Sequence, residues 1–288
     1  MSTILAAGFA TGCLISLVAI AIVMIFRTSG VVNFAQGEFM SVAAYFYVPF
    51  AARSANSLES LAVVLACGVA LGFAFFVITE IFLAKAELLM QMMSTFALSL
   101  LIISVLIVTK GSAMIPVNGW FKSSTYFYVF ATHITSQQII TVISTAFVVV
   151  ALQLSFRFTP FGKNIEAVSE NRRAASLSGV SPRATIAICW MIGGAITAFA
   201  GILYAPLAGV VPQMGAALLF PAFVAATIGG FNSIIGAAIG GVAIGLIESL
   251  ANHFVAGAVS TLAVFVVLLV VLLVRPNGFG GKFEVSRV

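Results

Sequence analysis

The sequence contains no aspartate, and charged residues of all kinds make up only 7% of its 288 residues. A soluble domain carries roughly 25% charged residues, because its surface has to face water. With 62% hydrophobic residues and a mean hydropathy of +1.20, this chain could not cover itself with a water-soluble surface. The composition therefore excludes a soluble globular protein and predicts a chain whose solvent is lipid.

Cysteine is also scarce, and the usual catalytic motifs are missing. The three cysteines lie far apart in apolar runs: Cys13, Cys67 and Cys189. They form no Cys-x-x-Cys pair or Cys/His cluster, so we expect neither a metal site nor a disulfide framework. Gly162–Lys163 is followed by Asn164 rather than by Ser or Thr, so there is no phosphate-binding loop. We therefore predict no catalytic residue, metal or cofactor in this chain, and expect any ATP to be bound by another polypeptide.

The 13 Lys and Arg residues outnumber the acids and give a net charge of +5. Such a charge could indicate a nucleic-acid partner, but in so apolar a chain basic residues are better interpreted as topology markers. Five of them lie between positions 157 and 183, and three more lie beyond position 274. We therefore expect both regions and Arg27 on the cytoplasmic side, the Lys110–Gln138 loop outside, and no nucleic acid as a partner.

Apolar segments long enough for membrane helices recur along the chain, since a span needs about 20 residues. The segments are Ile4–Phe26, Phe39–Ala52, Ser60–Thr79, Leu88–Thr109, Ile139–Phe156 and Gly257–Val274. A further uncharged stretch, Ala184–Ile247, would be about 96 Å long as one helix, so it must fold back at least twice. Clusters of Gly and Pro predict the breaks at Pro206–Pro212 and Gly229–Ser233. The sequence predicts an all-α polytopic membrane protein with eight or nine transmembrane segments, in a single domain spanning residues 1–288.

Small residues recur four positions apart in these segments, a spacing that lets helix backbones approach closely. The pairs are Gly8/Gly12, Gly68/Gly72, Gly236/Gly240 and Gly241/Gly245. They predict a tightly packed bundle of helices and nothing more specific.

Polar residues interrupt the apolar sequence at Thr28–Met40, which contains Asn33, Gln36 and Glu38. A carboxylate at mid-membrane costs about 2.5–3.5 kcal/mol on insertion scales, so Glu38 should face a polar pathway, a partner or the interface. Amides beside glycine are typical of discontinuous helices that line a cavity. The alternative is a cytoplasmic turn with a capping Glu.

A second interruption at Ala225–Gly236 also combines Gly, Phe and an amide, Asn232, and suggests internal duplication. Glu248 is the one charged residue between positions 184 and 274. The candidate residues for a translocation pathway are thus Asn33, Gln36, Glu38, Asn232 and Glu248. The alternative for Glu248 is an ordinary interfacial pair with His253.

The cytoplasmic loop 157–183 is the other candidate functional segment. Ile165–Leu177 is long enough for about three helical turns, which Gly179 and Pro182 should end. Such a helix across the cytoplasmic mouth could dock into a groove of a partner, and the alternative is a solvated loop that only marks the inner face.

Four segments, in order along nearly the whole chain, resemble the permeases of branched-chain amino acid ABC importers, especially the shorter of the two permease types. Val32–Met40 is similar to the family's Asn-Phe-Ala-His-Gly-Glu box, with Gln36 in place of His. The loop around Ala167–Asn171, Ala174–Ala175 and Gly179 resembles the family's cytoplasmic stretch, and Ala222–Phe231 its glycine-rich spans. Arg275–Gly278 is an Arg-Pro-Asn-Gly sequence similar to one in the family, while the outer loop Trp120–Tyr128 and the missing aspartates depart from its pattern.

The resemblance implies a permease domain in a bacterial inner membrane, with discontinuous helices and a cytoplasmic coupling helix. The implied partners are a second permease subunit (identical or different), two ATP-binding subunits and a periplasmic or extracellular solute-binding protein. The residues expected to couple to the ATPases are Ile165, Glu166, Ala167, Glu170, Asn171, Ala174, Ala175 and Gly179. The implied substrates are branched-chain or related amino acids, urea, amides or aromatic acids.

Three alternatives to an importer subunit stay open from the residues themselves. An ATP-independent secondary transporter is disfavoured by the scarcity of acids in the apolar segments. A structural membrane subunit is disfavoured by the two polar interruptions. A membrane-embedded enzyme is disfavoured because no catalytic constellation is present.

Overall fold

The computed structural model describes residues 1–51, 58–119, 126–129, 132–254, 258–275 and 278. These residues form eleven α-helices and one antiparallel β-hairpin. The helices are α1 Ser2–Ser29, α2 Gln36–Ala51, α3 Leu58–Phe76, α4 Leu88–Lys110, α5 Ser136–Phe158, α6 Pro160–Glu170, α7 Arg172–Leu177, α8 Pro182–Ala208, α9 Met214–Gly229, α10 Ile234–Phe254 and α11 Ala258–Val274. A π-helical turn, Val77–Phe82, continues α3, and the hairpin pairs β1 Tyr126–Val129 with β2 Thr132–Thr135.

Six helices are long and apolar enough to cross a bilayer: α1, α3 with its π turn, α4, α5, α8 and α10. Three further helices of the described residues have 16 or 17 residues, α2 and α9 with 16 each and α11 with 17. The two breaks predicted within Ala184–Ile247 are confirmed, because α8 ends at Ala208 and α9 at Gly229. The protein is a multi-pass, all-α membrane protein.

Two local features differ from the expectation. The hairpin was not predicted, since its strands are short and lie in the polar loop between α4 and α5. The prediction of one continuous helix over Ile165–Leu177 is wrong: the chain breaks at Asn171 into α6 and α7. The Asn171 side-chain oxygen accepts hydrogen bonds from the backbone N–H groups of Arg173 and Ala174, so it starts a new helix instead of continuing the old one.

Helices α1 and α8 form the centre of the bundle, and the rest of the core is arranged around them in matching ways. Helix α1 packs on α9 and α10, while α8 packs on α2 and α3. Both central helices end at a glycine with a positive φ, Gly30 with φ 74° and Gly209 with φ 73°. Each is followed by a short non-helical segment and then by a helix of 16 residues. The two halves therefore correspond as α1–α2–α3 and α8–α9–α10.

The predicted glycine pairs lie at helix contacts, with Gly236 and Gly240 of α10 facing α9. Gly8 and Gly12 of α1 face the backbone around Gly241 and Gly245 of α10, and a methyl group added to Gly12 would lie 2.7 Å from the Val242 Cα. Gly68 of α3 faces Gly194 of α8 in the same manner. Glycine is required here because any side chain would push the helices apart.

Helices α4, α5 and α11 lie at the periphery. Most of their large apolar side chains are exposed, among them Leu101, Phe147 and Leu273. In a membrane protein such surfaces contact lipid or another membrane subunit.

Candidate functional site

We call residues 30–35, between α1 and α2, the first break. Gly30 ends α1, and the Ser29 hydroxyl accepts a hydrogen bond from the Val31 N–H at 3.0 Å. The Asn33 side chain accepts from the Ala35 N–H and donates to the Gln36 side-chain oxygen at 2.8 Å. Two of the backbone N–H groups that the broken helix frees are thus bonded by nearby side chains, and a third, that of Phe34, donates to the Thr95 hydroxyl of α4 at 3.1 Å.

Gln36 connects this break to the other half of the molecule. Its side-chain amide donates to the Gly193 carbonyl at 3.1 Å and to the Thr197 hydroxyl at 2.5 Å, both on α8. Gln36 and Thr197 are fully buried, and Asn33 is 1% exposed. Asn33 and Gln36 therefore anchor the break to α8 and have their hydrogen-bonding groups used within the protein.

Glu38 lies one residue beyond the point where the two short helices meet. Gly37 at the start of α2 is in backbone contact with Gly215 at the start of α9, and the Gly215 N–H donates to the Ser41 hydroxyl at 3.0 Å. Glu38 is 2% exposed, and its Oε2 atom has no hydrogen-bond partner among the described residues. It is therefore a buried carboxyl group with free bonding capacity beside two helix N-termini, which favour negative charge.

We call residues 209–213, between α8 and α9, the second break, and residues 111–119 the cap segment. Ile115 of the cap segment and Val210 exchange both backbone hydrogen bonds, at 3.0 and 2.9 Å. The Tyr47 hydroxyl of α2 donates to the Asn118 carbonyl at 3.3 Å. The second break is therefore held mainly by backbone hydrogen bonds to the cap segment. The sequence predicted that segment only as part of an outer loop.

The end of the bundle that carries Arg27 and the 157–183 loop is called the basic end. Arg27, Arg157, Glu166 and Asn232 line one cavity there, of about 250 Å³. A larger cavity of about 1060 Å³ lies nearby, lined by residues that include Glu80, Arg172 and Arg183. The structure thus brings Arg27 and the loop to one end, as the basic residues predicted.

Helices α6 and α7 form a bracket across the basic end. Ile165 and Val168 of α6 and Ala175 of α7 are buried against the bundle. The other face is exposed and includes Glu166, Glu170, Asn171, Arg173, Ala174 and Leu177. Among the eight predicted coupling residues, Ile165 and Ala175 therefore face inward, Ala167 is half-buried, and the exposed Gly179 ends α7 with φ 83°.

Arg172, the first residue of α7, attaches this bracket to the bundle. One guanidinium nitrogen, Nη2, donates to the carbonyls of Thr28 at 3.0 Å and Ser29 at 2.7 Å, the last residues of α1. The other, Nη1, lies 3.2 Å from Glu80 Oε2 in the π turn. From the sequence, Arg172 was interpreted only as a topology marker. Its one distinctive signal was a position beside Asn171, a strong helix-capping residue type.

The five predicted pathway residues do not form one site. Asn33, Gln36 and Glu38 lie together around the first break, whereas Asn232 is exposed at the basic end. Glu248 lies near the opposite end of α10, where the neighbouring Ser249 hydroxyl donates to the Ile4 carbonyl. Thr197, which holds Gln36, was missed because an isolated Thr in an apolar helix carries no signal. In the residues that the structure describes, no three His, Cys, Asp or Glu side chains are grouped so as to hold a metal ion.

Comparison with known proteins gives a consistent result over the whole chain. Residues 4–274 match the family described as "Branched-chain amino acid transport system / permease component". The high-affinity branched-chain amino acid transport system permease protein LivH of Salmonella typhimurium is 29% identical over 98% of this chain and 96% of its own. BraD of Pseudomonas aeruginosa, a permease protein of the same description, is 26% identical with the same coverage.

The probable branched-chain amino acid transport permease protein LivH of Methanocaldococcus jannaschii is 26% identical over 93% of this chain and 89% of its own. No solved structure matches the chain significantly. The family match covers the central helices, both breaks and the bracket at the basic end. The chain belongs to the family of permease components of branched-chain amino acid transport systems.

Proposed function

We propose that this chain is one permease subunit of an ATP-binding-cassette importer in a bacterial inner membrane. It assembles with a second permease subunit, identical or different, and with two ATP-binding subunits, and an external solute-binding protein delivers the solute. The solute is a branched-chain or related amino acid, or a similar small polar molecule such as urea, an amide or an aromatic acid. The names of the relatives support the amino acid class, and this chain itself binds no cofactor.

The same proposal assigns eight or nine membrane segments, made from the six long helices and the three shorter ones. A helix of 16 residues is about 24 Å long, less than the hydrocarbon thickness of about 30 Å. Helices α2 and α9 are therefore half-helices that begin inside the bilayer, where Gly37 meets Gly215. Half-helix N-termini at mid-membrane are a recurring feature of solute sites in transporters.

The observation that carries the proposal is the bracket at the basic end. Helices α6 and α7 bury one face on the bundle and expose the other, which combines charged residues with Leu177, 91% exposed. A short helical element that is anchored on the bundle by one face and presents charged residues and Leu177 on the other fits docking into a groove of a partner protein. The proposed partner is the ATP-binding subunit, and the proposed contact residues are Glu166, Ala167, Glu170, Asn171, Ala174 and Gly179, supported from beneath by Ile165 and Ala175.

In this mechanism, ATP-driven closure of the partner subunits displaces the bracket and switches the bundle between two arrangements, each open to one side. The first break is the proposed hinge, because Asn33 and Gln36 join it to α8. Glu38 is the proposed contact for a solute ammonium group, since its Oε2 atom has no hydrogen-bond partner among the described residues. Asn232 and Glu248 remain proposed pathway residues at the two ends.

Solute uptake by reconstituted vesicles tests the function. Vesicles that contain this chain with its permease and ATPase partners and the binding protein should accumulate a branched-chain amino acid only when ATP is supplied. Vesicles that contain this chain alone should not take up solute in an ion gradient. Uptake by the isolated chain would favour the secondary transporter, and co-purification without any uptake would favour the structural subunit.

Replacement of Leu177 tests the docking surface. Burying a leucine side chain at an interface contributes about 1.5–3 kcal/mol, so Leu177→Glu should weaken co-purification of the ATP-binding subunit by tenfold or more. Leu58→Glu is the matched control, because Leu58 is 86% exposed at the opposite end of the bundle. Equal recovery of the ATP-binding subunit with both variants would argue against this surface.

A further inference from the structure

The Arg172 side chain is the place where three parts of the basic end meet. It belongs to α7, it bonds the two last carbonyls of α1, and it pairs with Glu80 of the π turn. Its side chain is 44% exposed, whereas that of Glu80 is 12% exposed. A guanidinium group can hold all three acceptors at once because its donors form a planar fork.

The acceptors on α1 are the last two backbone carbonyls of that helix. The carbonyls of Thr28 and Ser29 belong to the last turn of α1, where the helix has no further N–H groups to bond and carries a partial negative charge. The same Ser29 accepts the Val31 N–H through its hydroxyl, at the start of the first break. A movement of Arg172 therefore acts directly on the residue from which the first break begins.

The acceptor on the other side lies in an irregular helix. Val77–Phe82 is a π turn, a conformation that occurs mostly as single turns inside α-helices and frequently at functional sites. Because Glu80 lies within it, Arg172 connects α7 to the end of α3 as well as to the end of α1. Helices α1 and α3 belong to the same half of the molecule.

Neighbouring cations do not share this arrangement. Arg173 and Arg183 are exposed, and within the described residues neither side chain makes an ion pair. Arg183 lines the same cavity as Arg172, so it has the same charge and surroundings without the contacts to α1 and the π turn. The connection is thus a property of Arg172 and not of positive charge at this end in general.

We propose that Arg172, with Glu80 as its acceptor, is the positioning residue that transmits the displacement of the bracket to the end of α1 and so to the first break. The proposal rests on the proposed function, in which an ATP-binding subunit moves the bracket. In this role Arg172 contacts neither the solute nor the nucleotide, and it is not needed for the ATP-binding subunit to bind. Its loss should therefore separate ATP hydrolysis from solute movement.

The test measures solute uptake and ATP hydrolysis together in vesicles that contain the complete importer. Arg172→Gln should lower the amount of solute moved per ATP by about tenfold, because it removes charged hydrogen bonds to α1 and Glu80. The ATP-binding subunit should still co-purify in normal yield. Glu80→Gln should have a smaller effect of about threefold, since the carbonyl contacts remain.

Three further variants make the outcome specific. The double variant Arg172→Gln/Glu80→Gln should match Arg172→Gln alone, because the two side chains act as one unit. Arg172→Lys should lie between the wild type and Arg172→Gln, since an ammonium group cannot span all the acceptors. Arg183→Gln is the matched control and should keep the wild-type ratio.

The proposal is overturned if Arg172→Gln keeps the wild-type ratio, if it behaves like Arg183→Gln, or if it lowers uptake only by losing the ATP-binding subunit. If Arg172→Gln does not accumulate in the membrane, Glu80→Gln and Arg172→Lys carry the same test, and normal ratios in both would overturn it. Failure of the wild-type complex to use ATP for uptake would instead refute the proposed function.

Discussion

The two breaks occupy equivalent places in the two halves of the molecule but are held in different ways. Each follows a long central helix that ends at a glycine with a positive φ, and each precedes a helix of 16 residues. The first break is bonded by side chains, with Asn33 bonding Gln36 and Gln36 bonding α8. The second is bonded by backbone, through Ile115 and Val210.

This difference matters for what each break can do. Side-chain bonds can be exchanged for others when a helix shifts, whereas a pair of backbone bonds keeps two segments in register. The bracket at the basic end is also connected to the first break, through Arg172 and Ser29, and the second break has no such connection among the described residues. These two differences favour the first break as the moving element and the second break as a fixed one.

The strongest test of this comparison is at the point where the two short helices meet. Gly37→Ala should reduce the free energy of unfolding by about 3 kcal/mol. The reason is that the new methyl group would lie 2.6 Å from the Gly215 carbonyl oxygen, which belongs to the backbone and cannot rotate away. The measurement is unfolding in detergent micelles, followed by circular dichroism.

Gly193→Ala is the control for this change. Its nearest neighbour is the end of the Ile25 side chain, at 3.0 Å, which can move. A loss of stability as large as that of Gly37→Ala would mean that the contact between α2 and α9 is not special.

The next test addresses the side-chain bonds of the first break. Gln36→Leu removes the hydrogen bonds to Asn33, Gly193 and Thr197, each worth about 0.6 kcal/mol inside a membrane protein, so the expected loss of stability is about 2 kcal/mol. Gln36→His keeps hydrogen-bonding capacity and should lose less. Thermal unfolding of the purified variants gives the ranking.

The same substitution at the second break provides the contrast. Gln213 precedes α9, is exposed and makes no capping bond, so Gln213→Leu should leave the melting temperature unchanged. Equal losses at the two positions would contradict the view that only the first break depends on side chains.

The smallest expected effect concerns the attachment of the cap segment. Tyr47→Phe removes the hydrogen bond to the Asn118 carbonyl and should cost about 0.6 kcal/mol. Tyr45 is the control, because its buried hydroxyl has no partner among the described residues, so Tyr45→Phe should cost nothing. Protease cleavage within the cap segment should increase only in Tyr47→Phe, and an equal increase in both variants would argue against this contact.

Much of the bundle could be predicted from the sequence because its signals are local. Long apolar runs predicted the six long helices, and clusters of Gly and Pro predicted the ends of α8 and α9. The prediction of a continuous helix over Ile165–Leu177 failed because the Asn171 side chain bonds the backbone and starts a new helix. Composition alone does not show whether an asparagine lies within a helix or begins one. The suggested duplication stays a prediction, and it matched the first break with Ala225–Gly236, whereas the segment between the second central helix and its 16-residue helix is residues 209–213.

The sequence by itself determined that the chain is embedded in lipid and which segments of it are helical. It also determined which glycines allow close contact and which end is basic. These properties depend on composition and on spacings within about one helix. The tertiary structure alone decided that Gln36 bonds Thr197, that Gly37 meets Gly215, and that Arg172 joins α7 to α1 and Glu80. Each of those contacts joins residues far apart in the chain, and polar side chains in an apolar bundle bond whatever partner the packing of the helices brings within reach.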